Sequence, residues 1–469
     1  MTASARSFDA VVIGAGSAGL TVAVGLAGFG KRVALIEAHH IGGDCTNVGC
    51  VPSKALLHAA RVDTPQPLAH VRAIRDGLRD RETAEFEHHD NIELLRGRAT
   101  LTTPGQCTVT NDVDPPFRLE APHIVIATGS TPTVPEVEGL PAELLLTNEQ
   151  LFEIDAVPNR LVILGGGAIA VEMATAFGRL GGSITIIEAA DRILPAETPE
   201  ASDIVANALR DRGVVVSTAV TATRFVEDGA TLELSDGTTI AGVDAVLAAI
   251  GRRPRTGGLG LDTLGIELDR GRIVIDSWGR TTVAGVWAVG DVTNRSATTH
   301  GANAYGRRTV RAIALPHLPK ISGPPHIPAA VFSDPEVASV GYPPDVIERR
   351  WPAGARRRIR VDLSDTDRGL TDEIRCGAVI VDVERFTGRL LRATIVGPAA
   401  SEAIGTFTLA FDRRVSMHRL FTMVHPYPTF ASAIGKVADE FTRTTLRNPL
   451  RELAAWLRHL PHIITRRTR

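Results

Sequence analysis

One pattern occurs twice in this chain at the same spacing, and it narrows the fold more than any other feature. Ala10-Val-Val-Ile is a short apolar run that leads into Gly14, Gly16 and Gly19. An uncharged stretch continues to Phe29, and a second apolar run from Val33 ends at Glu37. Val162-Ile-Leu likewise leads into Gly165, Gly167 and Ala170, and the run from Ile184 ends at Glu188. Gly14 to Glu37 and Gly165 to Glu188 have the same length. Each copy reads as strand, tight turn, helix, strand. The first glycine makes the turn, and the second lets backbone N–H groups approach a pyrophosphate. The third small residue lets helix and strand pack closely. Phosphates then sit on a helix N-terminus, here at Ser17 and Ala18 in the first copy, and the terminal acid accepts from ribose hydroxyls. One such turn is a weak signal; two copies in register predict two dinucleotide cradles.

The acid that closes the second cradle bears on its ligand. Glu188 favours a ribose diol and repels a 2′-phosphate, which points to NADH. Arg192 lies close enough to accommodate that phosphate, so NADPH is the second candidate.

Other runs fill in the frame. His123-Ile-Val-Ile enters the small-residue turn Thr128-Gly129-Ser130, and Ala245 to Gly251 is its later counterpart. Gly285-Val-Trp-Ala-Val ends in Gly290-Asp291, where a carboxylate can reach a cofactor hydroxyl. Pro324, Pro325 and Pro328 mark a linker, after which Ala330-Val-Phe opens a region of mixed strands and helices. Asp334 to Gly341 reads as polar and turn-like, and the basic run Arg349 to Arg360 as a solvated edge. The expected class is α/β: two Rossmann-like dinucleotide-binding domains and a C-terminal α+β domain. The expected limits are 1–155 and 276–323 for the first domain in two parts, 156–275 for the second, 324–441 for the third and 442–469 for a tail.

Composition excludes several roles. The 469 residues are 44% hydrophobic and 22% charged with a net charge of −2, which is ordinary globular composition with no pull toward nucleic acid. Ala10 to Gly30 lacks charge, but the glycines within it and the lack of a basic leader argue against a membrane span or signal peptide. Four cysteines are too few for a secreted disulfide scaffold, so a cytoplasmic protein is expected, with Cys45 and Cys50 redox-active rather than structural.

Those two cysteines lie in Gly42-Gly43-Asp-Cys-Thr-Asn-Val-Gly-Cys-Val-Pro-Ser-Lys54. A regular helix would put their Cα atoms more than about 7 Å apart, and a disulfide wants about 4.4–6.8 Å. If they pair, the segment is kinked or looped, and Asn47 and Gly49 tolerate such a turn. Pro52 suits the first turn of a following helix, whose N-terminus favours a thiolate. The alternative is two unrelated buried thiols.

Taken in order, Gly14–Glu37, Cys45/Cys50, Gly165–Glu188 and Gly290-Asp291 resemble the FAD-dependent pyridine nucleotide–disulfide oxidoreductases, which include lipoamide dehydrogenase, glutathione reductase and mercuric reductase. The resemblance spans nearly the whole chain. It implies that the first cradle, with Gly43 beside it, holds FAD and that Asp291 meets the flavin's ribityl chain. It implies that the second cradle holds NADH or NADPH and that the third domain forms a homodimer with an active site shared between subunits. Electrons would pass from NADH through FAD to a Cys45–Cys50 disulfide. Cys50 would be the thiolate nearer the flavin and Cys45 the interchange thiol. Lys54 matches the lysine near the flavin, and Glu172 its acidic partner; the bland alternative for Glu172 is a surface helix acid.

The resemblance breaks at the C-terminal end. A His-Pro-Thr motif, with a glutamate five residues on, supplies the acid–base in disulfide reductases and lipoamide dehydrogenase. Here the stretch is His425-Pro-Tyr427-Pro-Thr429-Phe-Ala-Ser432. Tyr427 stands at the histidine position and Ser432 at the glutamate position, with His425 displaced by two residues. A phenol with pKa near 10 accepts protons poorly at neutral pH. Mercuric reductase resembles the chain in carrying tyrosine there, yet no paired cysteines end this sequence and no metal-binding domain precedes residue 10. Asp44 replaces the small residue usual before the first redox cysteine. Cys107 and Cys376 read as buried small hydrophobes rather than ligands, and no protein metal site is expected. The expected acceptor is a disulfide, a metal ion or a quinone-like compound. The alternatives are a lipoamide dehydrogenase with His425 as base and a flavin-loaded redox sensor.

In the tail, Asn448-Pro449 reads as a helix start, and Leu446, Leu450, Leu453, Leu457 and Leu460 recur at three- and four-residue steps. Two readings follow. The helix packs on the dimer interface, or its basic amphipathic face meets a membrane surface or a partner protein.

Overall fold

The computed structural model describes residues 5–226, 229–295, 297–319 and 326–467, with the backbone alone for 460–467. The chain divides into two compact units. One is Met1–Pro135, Leu146–Ala156 and Ile250–Pro325; the other is Glu136–Leu145, Val157–Ala249 and His326–Arg469. The proposed linker residues Pro324 and Pro325 lie outside the described residues.

The first unit opens with β1 (Ala10–Ile13), α1 (Ser17–Gly28) and β2 (Val33–Glu37). α2 (Gly43–Asn47), α3 (Cys50–Arg61) and α4 (Pro67–Glu87) follow, then β3 (Ile92–Arg96), β4 (His123–Ile126) and the short β5 (Ser130–Pro132). β3, β2, β1 and β4 lie side by side in that order, all parallel. Every residue of β1 is buried, as expected for a parallel strand covered on both faces. A mostly antiparallel sheet formed by Arg98–Thr103, Gln106–Thr110, Phe117–Glu120 and Arg6–Ser7 branches from this core.

The second cradle belongs to the other unit. β6 (Arg160–Leu164), α5 (Ala168–Arg179) and β7 (Ser183–Glu188) repeat the first pattern. α6 (Pro199–Arg210), β8 (Val215–Thr218) and β9 (Ala245–Ala248) complete it, with the strands in the parallel order β9, β6, β7, β8. The chain then rejoins the first unit. β10 (Arg252–Pro254) pairs antiparallel with β5, β11 (Val286–Ala288) extends the first parallel sheet beside β4, and α7 (Thr299–Ala314) packs on α1.

The last region is a five-stranded antiparallel sheet in the order β12 (Ala329–Val331), β13 (Glu336–Gly341), β16 (Leu390–Gly397), β15 (Ala378–Glu384), β14 (Arg356–Asp362). α8 (Ala400–Asp412) and α9 (Ser432–Arg447) bury Phe407, Val437 and Phe441 against it. Asp334 to Gly341 is therefore not a turn. Only its start is one, and Val337, Ala338 and Val340 are core residues of β13. Its polar members misled because they are satisfied inside: Ser339 donates to Glu197 at 2.8 Å. The basic run ends in an edge strand, β14, where Arg357, Arg358 and Arg360 are ion-paired rather than merely solvated. Arg358 holds Asp382 at 2.9 Å and Glu200 at 2.7 Å.

α10 (Pro449–Arg467) starts at the expected Asn448-Pro449 boundary. Leu446, Leu450 and Leu457 are exposed. The docking face is Glu452, buried between Arg385 at 2.7 Å and Arg357, and Trp456 against the Trp351 cluster. Glu452 and Trp456 share the spacing of the leucine row on another side of the helix, and two arginines decide which side is covered. The Leu460 side chain and the last two residues, Thr468 and Arg469, lie outside the described residues.

Candidate functional site

The first cradle is built on close backbone approaches. A Cβ on Gly14, whose φ is +103°, would stand 2.4 Å from the Ala127 carbonyl oxygen; one on Gly19 would stand 1.9 Å from that of Gly14. Gly43, at φ +57°, packs its Cα onto Gly16. Gly16 differs from these. Its backbone is extended at φ −81°, and its added Cβ meets nothing nearer than Gly43 Cα at 3.8 Å. Gly14, Gly19 and Gly43 thus serve packing, whereas Gly16 leaves space in front of Ser17 and Ala18 at the start of α1. At the end of β2, the Glu37 carboxylate accepts from the N–H groups of Ala15 and His39, each at 2.7 Å.

The second cradle repeats this in its own unit. Gly165 has φ +104°, a Cβ on Gly167 would meet nothing within 4 Å, and Ala170 is buried. Glu188 accepts from Gly166 N–H and, at 2.7 Å, from Ala190 N–H. Arg192 is held by Asp191 at 3.1 Å and turned toward the Pro195 carbonyl.

Around the first cradle, the Thr128 hydroxyl donates to the Arg255 carbonyl at 2.7 Å, and Gly129 turns the chain at φ +71°. The Ser130 hydroxyl donates to Asp291 at 3.0 Å, just after Gly290 at φ +77°. Asp291 is half-buried, and burial pushes its carboxyl above the usual carboxylate range. Gly251, at φ +130°, takes the chain into β10, and its carbonyl accepts from Thr133 N–H.

Cys45 and Cys50 come together through a break in the helix. α2 ends after Asn47, whose amide donates to the carbonyls of Ile41 and Gly43, both at 2.8 Å, and α3 begins at Cys50. Gly49 is needed for a steric reason: a Cβ there would lie 2.7 Å from the Asp44 carbonyl oxygen. The Cys45 and Cys50 side chains lie within hydrogen-bonding reach of each other. That contact, then burial, then any charge on Cys50 push the Cys45 thiol up, while the hydroxyls of Thr299 and Ser17 pull it back. The Thr299 hydroxyl also lies 3.4 Å from Cys50 Sγ. Lys54 is one turn along α3, half-buried, with Nζ 3.3 Å from Ser53 Oγ.

Three further candidate residues lie in the other unit. Glu172 is buried on α5 and accepts from Phe332 N–H at 3.0 Å, so it is not a surface acid. His425 and Tyr427 have opposite settings. The His425 ring packs against Gly435 of α9 with Nε2 shut away from water, and burial lowers its pKa, whereas Tyr427 is 74% exposed.

The family model for pyridine nucleotide-disulphide oxidoreductases matches residues 8–306, and the model for their dimerisation domain matches residues 327–438. The chain belongs to this family. It is an FAD-dependent NAD(P)H oxidoreductase, and its dimerisation domain supports a homodimer. A mercuric reductase of Streptomyces lividans is 31% identical over 460 residues, covering 93% of this chain and 96% of that one. A dihydrolipoyl dehydrogenase of Corynebacterium glutamicum is 32% identical over 462 residues, covering 92% and 97%. Among solved structures, the Cu(II) complex of the HOCl-induced flavoprotein disulfide reductase RclA from Escherichia coli superposes with a TM-score of 0.85 at 28% identity, covering 93% and 99%.

The residues present fit FAD. The space left by Gly16 suits a pyrophosphate, Glu37 keeps acceptor capacity at the ribose position, and Asp291 is a half-buried carboxylate with a neutral hydroxyl donor that ribityl hydroxyls would supplement. Three members of the site went unnoticed in the sequence. Thr299 looked like an ordinary helix start, Asn148 lies in an unremarkable loop, and Arg252 was masked by three arginines in four residues; only its position directly after Gly251 was a signal. Of the other cysteines, Cys107 is buried, which pushes its thiol to about 12. Cys376 was expected to be buried and is not: it sits exposed in the turn before β15. Among the described residues no group of three or more His, Cys, Asp or Glu could hold a metal ion, and no helix is long and apolar enough to cross a membrane.

Proposed function

We propose that the enzyme delivers electrons from its dithiol to a soft metal ion rather than to a disulfide, using NADH in preference to NADPH. The observation that carries this is the setting of Tyr427 and His425. Opening a disulfide acceptor requires a proton for the departing thiolate, and an imidazole supplies it well at neutral pH. The stowed His425 ring is badly placed for that work, and the exposed Tyr427 phenol, supplied by a second copy of the chain, is a poor acid–base. A metal ion makes no such demand. Oxidation of the dithiol releases two electrons and two protons; Hg(II) takes both electrons, or two Cu(II) ions take one each, and the protons leave to water. The similarity to a mercuric reductase and to RclA, solved as a Cu(II) complex, supports this acceptor class.

In this reading Gly14, Gly16, Ser17, Ala18, Gly19, Glu37, Gly43, Thr128, Gly129, Ser130, Gly251, Gly290 and Asp291 hold FAD, which when bound supplies the hydride relay. Gly165, Gly167, Ala170 and Glu188 hold NADH, with Asp191 keeping Arg192 from a 2′-phosphate. Cys50 holds the first thiolate charge, Cys45 keeps its proton until it meets the acceptor, and Lys54 sets the charge beside the flavin site. The domain limits at 155, 275, 323 and 441 and a cytoplasmic location belong to the same proposal. The tail, with Leu446, Leu450 and Leu457 exposed, is left for a partner or membrane surface.

Steady-state NADH oxidation with a panel of acceptors tests the reading. Cu(II) or Hg(II) should turn over well above lipoamide, glutathione disulfide and a naphthoquinone. Tyr427→His with Ser432→Glu should raise disulfide turnover without raising metal turnover. Rapid dihydrolipoamide oxidation by the natural chain would overturn the proposal.

A further inference from the structure

The turn that carries the two cysteines is fastened at both ends by one side chain from β10. The Arg252 guanidinium pairs directly with Asp44, the residue before Cys45. Its Nη1 donates to Asn148 Oδ1 at 3.2 Å, and Asn148 Nδ2 donates to the Val48 carbonyl, between the cysteines, at 3.1 Å. Behind these contacts Nε donates to Ser130 Oγ at 2.8 Å and Nη2 to the Ser130 carbonyl at 3.0 Å. Ser130 in turn holds Asp291, so a chain of hydrogen bonds runs from that carboxylate through Arg252 to both halves of the redox turn. Arg255 adds a longer contact to Asp44 at 3.8 Å and pairs with Glu149 at 3.1 Å. The planar fork of arginine is what lets one residue serve these directions at once; lysine cannot.

We propose that Arg252 is a positioning residue for the redox dithiol, acting through Asp44 and Asn148 to hold Cys45 and Cys50 at bonding distance. This rests on the reading of Cys45 and Cys50 as the redox pair. The physical argument is effective concentration. Cys45 is on α2 and Cys50 on α3, and the two helices meet at the Val48-Gly49 break. A disulfide forms readily only when the sulfurs are already close, so fixing both sides of the break favours the disulfide over the dithiol. The aspartate that departs from the usual small residue at position 44 thereby finds its purpose: it is the anchor that the arginine grips on the Cys45 side.

The test is the exchange equilibrium of the FAD-loaded enzyme with glutathione, in which protein disulfide and two glutathione thiols give protein dithiol and glutathione disulfide. Thiols are trapped by alkylation and counted by mass. Asp44→Asn and Asn148→Ala each cut one arm and should shift the equilibrium toward dithiol at least threefold. Arg252→Met cuts both and should shift it at least tenfold, equivalent to about 30 mV for this two-electron couple. The double variant Asp44→Asn/Asn148→Ala should not exceed Arg252→Met, because both arms act through the same side chain. A general loss of stability does not produce that ceiling. If Arg252→Met fails to fold or retain FAD, the two single-arm variants carry the test. Exchange constants within twofold of the natural protein in both would overturn the proposal. If instead the natural protein fails to gain two alkylatable thiols at Cys45 and Cys50 on reduction, it is the redox-pair reading that falls, and the fastening proposal with it.

Discussion

Gly16→Ala separates the ligand-binding role of the first cradle from its structural role. The backbone at Gly16 is extended at φ −81° and ψ −179°, a conformation open to alanine, and the new methyl meets only Gly43 Cα at 3.8 Å. With no strain and no clash, the substitution should stabilise the FAD-free protein by about 0.4–1 kcal/mol through the unfolded chain. The same methyl stands where a pyrophosphate must approach the N–H groups at the start of α1. Losing two charge-assisted hydrogen bonds at about 1.5 kcal/mol or more each predicts FAD affinity weakened by at least about a hundredfold. Gly19→Ala is the contrast. Its methyl would lie 1.9 Å from the Gly14 carbonyl oxygen, so β1 and α1 must part, costing about 3 kcal/mol with no ligand present. The assays are urea unfolding of the FAD-free proteins and titration with FAD. A Gly16→Ala protein that binds FAD as the natural one does, or unfolds as early as Gly19→Ala, would refute the reasoning.

Three further outcomes follow from particular side chains. Burial raises the Cys107 thiol from an ordinary 9.0 to about 12, so its contribution to stability is intact below pH 9 and is lost as pH rises toward 12. The loss is about 1.4 kcal/mol by pH 10, and Cys107→Ala should remove that part of the alkaline decline in unfolding midpoint. Glu452→Ala leaves Arg357 and Arg385 without their buried partner and should cost about 3 kcal/mol, at the low end for such pairs because Arg385 keeps part of its exposure; hydrogen exchange confined to α10 would show that the helix has detached. Asp191→Ala frees Arg192 for a 2′-phosphate and should lower the KM for NADPH by up to about fivefold, the limit for a surface pair of this kind, with the KM for NADH unmoved.

What could be read in the chain beforehand follows a physical division. The cradles were legible because strand, glycine turn, helix and closing acid are local and periodic, and each glutamate accepts from the equivalent pair of backbone N–H groups in its own cradle. The cysteine turn was legible as a kinked segment, although Gly49 is dictated by the nearness of the Asp44 carbonyl rather than by a need for unusual φ. β13 was missed because Ser339 looks like a turn residue until its buried partner Glu197, far away in sequence, is known. The same limit hid Arg252: apart from its place directly after Gly251, nothing local distinguishes it from Arg253 and Arg255, and its role emerges only when Asp44 and Asn148 are brought beside it. In the tail the leucine spacing was real, but ion pairing by arginines from other segments turned a different face inward.

Anaerobic titration of the FAD-loaded enzyme with NADH tests the central claim most directly. Transfer of one pair of electrons should leave Cys45 and Cys50 as a dithiol with a long-wavelength thiolate–flavin absorbance band, abolished in Cys50→Ser and retained in Cys45→Ser. A titration that bleaches the flavin without that band, or a Cys50→Ser protein that keeps it, would contradict the account.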